Sequence, residues 1–303
     1  MNISDLTKAF NRIYNNDKGS FPAYISDWPY QDTPQNWERD HNAGLGDPFN
    51  FRSIQDLVQF WDWGVDTHPA YFEDYELAPL VKRIVDFDKY VASKCQLLYD
   101  FTKLSYIKGI ATVSAQEYLL NHLYPDPYIS DTLRVCDFGS GFGRQACAWN
   151  LFNSTNLTFI SIDAIQKPYI TQAIYYSFFD VPLTEYVIDP FNFKLDYNSR
   201  GIYHLPTWRL SLLPDNYLDK VLFCQVLPEL DPSLIEHVIP LLFQKLKPGG
   251  TFFIRDHGTE WQPVHSIDTD KMMLSLGMHL EFNPLLVDKK HIHGKPRIFR
   301  KHL

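Results

Sequence analysis

The sequence predicts an α/β fold, in which a mainly parallel β-sheet follows an N-terminal region of helices and aromatic residues. After Asp131, short runs of β-branched and apolar residues alternate with helix-length segments, the pattern of parallel strands joined by crossover helices. The first such strand leads into the glycine-rich stretch RVCDFGSGFGRQ, residues 134 to 145, which predicts a tight turn from a strand into a helix.

The composition is that of a folded protein with a large core. The chain has 303 residues, of which 45% are hydrophobic and 16% aromatic. Its formal charge of −8 disfavours a nucleic-acid partner, because affinity for a phosphate backbone is mainly electrostatic. The four cysteines show no C-x-x-C spacing, so neither a disulfide scaffold nor a thiolate zinc site is expected.

No targeting segment is evident in the sequence. The start, MNISDLTKAF, lacks a basic stretch followed by an apolar run, and no segment approaches about 18 consecutive apolar residues. We therefore expect a soluble cytoplasmic protein with no membrane partner.

Residues 1–125 are predicted to form an N-terminal arm and helical cap. Residues 1 to about 52 are rich in Trp, Tyr, Asn, Asp and Pro, which predicts an irregular aromatic arm. Ser114 and Glu117 have the S-x-x-E spacing of a capping box, which predicts that a helix begins at Ser114. The aromatic side chains suit either stacking on sugar rings or ordinary packing; they are Trp28, Tyr30, Trp37, Phe49, Phe51, Trp61 and Trp63.

Residues 126–303 are predicted to form a second, catalytic domain. Its clearest candidate strands are LRVCDF, LTFISIDA, DKVLFCQV, GTFFIRD, HLEFNPLLV and PRIFRKH. For the third strand, the segments EYVID and IYHLP are alternatives. Five parallel strands followed by a C-terminal hairpin make a seven-stranded, Rossmann-like sheet.

The glycine-rich loop is the strongest ligand-binding signal. The first strand reaches Asp137, and the loop then carries Gly139, Ser140, Gly141 and Gly143. Glycine lets backbone N–H groups approach a ligand closely. Arg144 occupies the place of the third glycine of a dinucleotide fingerprint, which argues against NAD or FAD. The alternative is a tight turn with no ligand.

A second candidate is Asp163, which ends the next predicted strand twenty residues after Gly143. A carboxylate at the tip of this strand can accept hydrogen bonds from both hydroxyls of a ribose. The alternative role, capping the helix that follows from Lys167, is compatible with ribose binding.

These residues resemble those of the class I S-adenosyl-L-methionine (SAM) dependent methyltransferases. LKPGG at 246–250 and LPDNYLDKV before the fourth strand extend the resemblance over residues 134–303. The resemblance implies SAM as cofactor, with its amino-acid end held by Asp137 and the glycine loop. Cys224 and Gln225, at the end of the fourth strand, are further cofactor-binding candidates.

The sequence departs from this family between Phe179 and Leu213, where the usual Gly-Asp-Ala after the third strand is missing. Asp189 and Trp208 are consequently both candidates for contacting adenine. Their alternative roles are loop structure for Asp189 and core packing for Trp208.

A narrower resemblance is to the sugar O-methyltransferases. It depends on SIDAIQKPYITQAIYYSFFD and VLFCQVLPELDPSLI, in which Pro168, Gln172 and Tyr176 match the family pattern. This resemblance implies a hydroxyl acceptor and places Glu229 near the transferred methyl group.

Methyl transfer to a hydroxyl requires removal of a proton, so a general base is expected. Open α/β sheets bind ligands beyond the carboxyl ends of their strands, where the fourth and fifth strands offer Glu229, Asp256 and His257. Glu229 could instead form an exposed salt bridge, and His257 could be a solvated loop residue.

A divalent metal is not expected. The stretch IRDHGTEW resembles a Glu-Asp-x-His stretch of metal-dependent sugar methyltransferases, but Cys224, Gln225 and Val226 replace the second acid that a metal would need. His291 and His293 have no carboxylate or cysteine nearby, so we expect them in an exposed hairpin turn.

The sequence therefore predicts an enzyme, a SAM-dependent O-methyltransferase acting on a hydroxyl of a sugar or small polar metabolite. A homo-oligomer is compatible with the sequence. Two alternatives remain open: a methyltransferase for a carboxylate, amine or peptide, and a catalytically silent SAM-fold protein that binds partners.

Overall fold

The computed structural model describes residues 2–18, 50–61, 72, 74–101, 110–124, 131–153, 156–195, 200–227, 230–256, 267–282 and 295–303. Their α-helices are α1 (Ile3–Asp17), α2 (Asp56–Trp61), α3 (Asp74–Lys94), α4 (Ile110–Leu123), α5 (Arg144–Phe152), α6 (Gln166–Tyr176), α7 (Pro232–Lys245) and α8 (Thr269–Ser275). None of these described helices is long and apolar enough to cross a membrane.

The strands of the described residues form one mixed sheet, which confirms the predicted α/β, Rossmann-like fold. They are β1 (Thr132–Phe138), β2 (Asn156–Asp163), β3 (Leu183–Glu185), β4 (Gly201–Pro206), β5 (Leu218–Cys224), β6 (Leu246–Asp256), β7 (Met278–Phe282) and β8 (Lys295–Lys301). The order is β3-β4-β2-β1-β5-β6-β8-β7, in which β8 runs antiparallel to β6 and β7 and all the other neighbouring pairs are parallel.

The sheet has eight strands in place of the predicted seven, because both segments that were alternatives for the third strand contribute to it. IYHLP lies in β4, which pairs with β2 and has every residue buried. Glu185, the first residue of EYVID, ends the short edge strand β3, which pairs with β4. An interior strand can be long and apolar, whereas a short edge strand leaves little unpaired backbone exposed.

The prediction of an irregular arm is wrong for the first residues of the arm, which form helix α1. The side chain of Asn2 accepts a hydrogen bond from the N–H of Ser4 and so caps the helix. Leu6, Phe10 and Ile13 then share one buried face, at spacings of four and three residues. The prediction missed this amphipathic spacing, which precedes the aromatic stretch. Residues 19–49 of the predicted arm lie outside the described residues.

Helix α4 corrects the predicted capping box. The helix already includes Ile110, so Ser114 and Glu117 lie in its interior, and both are buried. The Glu117 carboxylate accepts hydrogen bonds from Arg255 and Gln145. The Glu117 carboxylate is thus bound by side chains from other elements and does not serve in a capping box at a helix start.

The helices of the N-terminal region pack onto the sheet domain, and their apolar residues join one buried cluster with those of the sheet. Trp61 is buried against Tyr99 and Phe101, with ring centroids 5.5 and 5.2 Å away, so it packs in the core. Asp88 of α3 is fully buried and bonds Arg144 at the start of α5, with a distance of 2.5 Å between Oδ2 and Nη1. This ion pair ties the N-terminal region to the helix that follows the glycine loop.

Candidate functional site

The carboxyl ends of three neighbouring strands lie side by side. Asp137 of β1 pairs with Ser161 of β2 on one side and with Leu222 of β5 on the other. Two residues beyond this rung come Gly139, Asp163 and Cys224. The candidate cofactor residues that the sequence placed at separate strand ends therefore share one edge of the sheet.

The glycine loop is tied to β2 through main-chain hydrogen bonds. The N–H groups of Gly139 and Ser140 both donate to the carbonyl of Ile162, at 2.9 and 3.2 Å. Gly139 has a φ of +69° and packs closely on Val226. A Cβ at Gly139 would lie 2.3 Å from Cγ2 of Val226. Gly141, with a φ of +53°, is different, because a Cβ at this residue would meet no atom of the described residues within 4 Å. The loop is thus packed at its base and open at Gly141.

Asp137 is a buried carboxylate whose Oδ1 has no hydrogen-bond partner among the described residues. The hydroxyl of Ser140 donates to its main-chain carbonyl at 2.7 Å. Burial, together with the nearby carboxylates of Glu117 and Asp163, raises the pKa of Asp137 to about 8. A buried carboxyl group that lacks a hydrogen-bond partner is suited to a cationic ligand, which would supply that partner.

Glu117 belongs to this site, although the sequence analysis assigned it only to helix capping. Its carboxylate is held by the guanidinium of Arg255, from the end of β6, and by the side-chain amide of Gln145. Arg255 also donates from Nη1 to Oε1 of Gln225, at 2.7 Å. Because Glu117 and Arg255 are separated by 138 residues, no local sequence signal links them.

Asp163 accepts four hydrogen bonds in the free protein. Its Oδ1 accepts from the N–H groups of Ala164 and Ile165, and its Oδ2 accepts from the N–H of Gly141 at 3.2 Å and from the side chain of Gln172 at 2.9 Å. Burial raises the pKa of Asp163 to about 6, although the hydrogen bonds from Ile165, Gln172 and Ala164 lower it. Because a carboxylate has about four acceptor positions, a ribose hydroxyl would have to replace the longest bond, from Gly141.

Cys224 is the last residue of β5, and Gln225 follows it, beside this cluster. Burial and the carboxylates of Glu117 and Asp137 raise the pKa of the Cys224 thiol well above its usual value, so the thiol is uncharged near neutrality. Gln225 has a φ of +66°, which is rare for a residue with a side chain, and its N–H donates to the carbonyl of Arg255 at 2.7 Å. Strained backbone of this kind is often found at functional sites.

The structure describes the predicted catalytic residues only in part. Asp256 is the last residue of β6, where it pairs with Lys295 of β8, and its side chain is outside the described residues. His257 and Glu229 lie outside them altogether, as do His291 and His293. Their catalytic and loop roles stay predictions.

The two candidates for adenine contact are engaged elsewhere. The indole N–H of Trp208 donates to Asp17 of α1 at 2.9 Å, and its ring packs on Phe10. Asp189 accepts hydrogen bonds from the main chain and side chain of Asn192. Asp189 also lines a cavity of about 720 Å³ beside the edge strand β3. These contacts favour the packing role for Trp208 and the loop role for Asp189.

Among the described residues, no group of three or more His, Cys, Asp or Glu side chains is arranged to hold a metal ion. Residues 257–266, which include most of the predicted metal-like motif, are outside the part of the chain that the structure describes.

Comparison with known proteins assigns the chain to no family. No protein-family model and no curated protein matches the chain. A solved Corynebacterium glutamicum protein aligns over 73% of this chain and 90% of its own, at 16% identity and a TM-score of 0.41. A SAM-dependent methyltransferase from Archaeoglobus fulgidus aligns over 63% of this chain and 93% of its own, at 18% identity and a TM-score of 0.37.

The residues of the site fit the amino-acid end of SAM. The unpartnered Oδ1 of Asp137 would accept a hydrogen bond from the ammonium group, whose charge would also ease the burial of this carboxylate. The open space at Gly141 would admit the ligand close to the loop backbone.

We expect SAM binding to strengthen as the pH rises from 6 to 8, by up to about tenfold per unit. Asp137, with a pKa of about 8, is largely protonated in the free protein at neutral pH and must ionise to bind an ammonium group. Calorimetry in buffers of different ionisation enthalpy should detect the released proton. The variant Asp137→Asn should bind weakly and without proton release; equal proton release by this variant would show that another group is responsible.

The same shift predicts that the free protein loses stability as the pH rises from about 4 to about 8, because the pKa of Asp137 in the folded protein is above its ordinary value of 3.8. Thermal unfolding of the free protein and of Asp137→Asn across this range separates the contribution of Asp137 from that of other groups.

Proposed function

We propose that the chain is a SAM-dependent O-methyltransferase whose acceptor is a hydroxyl of a sugar or another small polar metabolite. The observation that carries the cofactor proposal is the buried carboxyl group of Asp137, whose Oδ1 has no partner among the described residues, next to a glycine loop that is open at Gly141. The acceptor proposal is supported by the sequence resemblance to sugar O-methyltransferases, in particular by Pro168, Gln172 and Tyr176 of α6.

In this proposal each candidate residue binds a defined part of the cofactor. Asp137 accepts from the ammonium group, and Glu117, which is paired with Arg255, lies close enough to raise the pKa of Asp137. Asp163 binds the ribose after the N–H of Gly141 has released it. The rest of the cofactor is bordered by the backbone of the glycine loop and by Cys224 and Gln225 at the carboxyl end of β5. When bound, SAM supplies an electrophilic methyl group on a sulfonium.

The chain's own contribution to the chemistry would be positioning and proton removal. An in-line displacement needs the acceptor oxygen held close to the methyl carbon and on the side opposite the leaving sulfur. A hydroxyl has a high pKa, so its proton must pass to a base as the methyl group arrives. Asp256 ends β6, and His257 and Glu229 follow β6 and β5 in the sequence. His257 has the ordinary pKa best suited to a base near neutrality.

A screen of SAM affinity and turnover with a panel of sugars and polar metabolites tests the proposal. In the same assay we expect His257→Ala to lower kcat at least about 100-fold with little change in the KM for SAM. Glu229→Gln should have a smaller effect, mainly on acceptor binding, because a glutamate would need its pKa raised to act as base.

The possible results separate the alternatives. The reverse ranking of the two variants would assign the base to Glu229. A loss below about tenfold in both would weaken the hydroxyl-acceptor proposal and favour an acceptor that needs no strong base. SAM binding without turnover of any acceptor would favour the silent binding protein, and no SAM binding would overturn the proposed function.

A further inference from the structure

The side chain of Gln172, in the middle of α6, is fully buried behind the glycine loop and makes four hydrogen bonds. Its Nε2 lies 2.7 Å from the carbonyl oxygen of Gly141 and 2.9 Å from Oδ2 of Asp163. Its Oε1 lies 3.1 Å from the hydroxyl of Ser161 and 2.8 Å from Nε2 of His204. Two of these partners face the proposed cofactor, and two lie deeper in the sheet.

The chemistry of the partners defines the orientation of this amide. The carbonyl of Gly141 can only accept, so the nitrogen of Gln172 must be the atom that faces it. The second proton of that nitrogen then goes to Asp163, and the amide oxygen accepts from Ser161 and His204. No donor or acceptor position facing these groups is left over, and the reverse orientation would place oxygen against oxygen at Gly141.

A second layer holds this orientation in place. Because Oε1 of Gln172 accepts from His204, the imidazole carries a proton on Nε2. Its other nitrogen, Nδ1, lies 2.6 Å from Oε2 of Glu185, whose Oε1 accepts from the hydroxyl of Tyr169. The chain of hydrogen bonds thus runs from the edge strand β3 through β4 and α6 to the glycine loop.

Gly141 is held from both sides in this arrangement. Its N–H donates to Asp163, and its carbonyl accepts from Gln172, which also donates to Asp163. A ribose hydroxyl that binds Asp163 must replace the Gly141 N–H, because the carboxylate has no acceptor position to spare. The carbonyl belongs to the next peptide group, so its bond to Gln172 can persist while the N–H moves away.

We infer that Gln172 is a positioning residue of the proposed SAM site, which keeps the glycine loop in register with the Asp163 carboxylate while Asp163 exchanges a loop N–H for the ribose. This inference rests on the proposed function. Gln172 does not itself touch the cofactor in this arrangement, and His204 acts one step further back by fixing the direction of the amide.

The test compares Gln172→Glu, which has nearly the same shape but replaces the donor with an acceptor, with Gln172→Met, which lacks both. In the full-length protein at pH 8 we expect Gln172→Glu to weaken SAM binding roughly 10- to 100-fold, as calorimetry would measure. In the free protein, we expect amide exchange at Gly141, followed by NMR, to be at least about tenfold faster in both variants.

The matched control is Thr171→Val, in the neighbouring residue of the same helix. Thr171 is also buried, but among the described residues its hydroxyl donates only to helix carbonyls, those of Lys167 and Pro168. It should leave SAM affinity within about twofold of the parent. Thermal unfolding confirms that each variant is folded. If Gln172→Glu does not fold, Gln172→Met is used for both measurements.

The two readouts separate this inference from the proposed function. Unchanged Gly141 exchange in a folded variant would overturn the positioning role, whatever SAM does. Faster Gly141 exchange in both variants, with weaker SAM binding, would support it. If the parent protein does not bind SAM, the proposed function is wrong, but the positioning role of Gln172 is still tested by the amide exchange at Gly141.

Discussion

Replacing Gly141 with valine is expected to abolish SAM binding while leaving the sheet folded. In the part of the chain that the structure describes, a Cβ at Gly141 meets no atom within 4 Å, so the added side chain would occupy the space through which the loop backbone meets a ligand. The positive φ of +53° adds a local backbone cost, on the order of 1–2 kcal/mol. Calorimetric titration of the purified variant with SAM measures the effect.

Gly277 provides a matched control for this backbone cost. It has a φ of +82°, and a Cβ at Gly277 also meets none of the described atoms within 4 Å. It lies in the turn from α8 into β7, at the amino end of that strand, whereas the glycine loop lies at the carboxyl end of β1. Gly277→Val should therefore lose comparable stability but keep its affinity for SAM. Unchanged SAM affinity in a folded Gly141→Val variant would rule out the glycine loop as the binding site.

The second large effect is expected in stability, from Asp88→Ala. This substitution leaves the guanidinium of Arg144 buried without its counter-charge and removes the acceptor of the Tyr175 hydroxyl, which donates to Asp88 at 2.8 Å. Breaking a buried ion pair in this way typically costs about 3–5 kcal/mol of unfolding free energy. Urea unfolding of the free protein, followed by circular dichroism, measures the loss.

An exposed ion pair of the same helix is the control. Asp86 pairs with Lys82 at 2.5 Å, with side chains 50% and 76% exposed, so Asp86→Ala should cost no more than about 0.5 kcal/mol. The double variant Asp88→Ala with Arg144→Ala should be less destabilised than the two single losses added together, by roughly 1–3 kcal/mol. Strictly additive losses would contradict the coupling between the N-terminal region and the glycine-loop helix.

Much of the sheet could be predicted from the sequence, because strands and turns leave local signals. The order of apolar runs and helix-length segments defined the parallel strands and the C-terminal hairpin. The first residues of the chain were misjudged, because the abundant aromatic and turn-forming residues after Lys18 obscured the helical spacing of Leu6, Phe10 and Ile13. The eighth strand was missed because two segments were treated as alternatives for one position, whereas a sheet edge can accept a short extra strand.

For the candidate site, the sequence by itself determined the residues that depend on local backbone geometry. The glycine loop after β1 and the aspartate at the tip of β2 are defined by their position at the end of a strand, and parallel strands bring such ends together at one edge. Only the tertiary structure decided the partners of Glu117, Gln172 and Arg144. Their partners include residues 138, 32 and 56 positions away in the chain, respectively. Such contacts depend on sheet register and on how each helix docks, which the local pattern of residues does not encode.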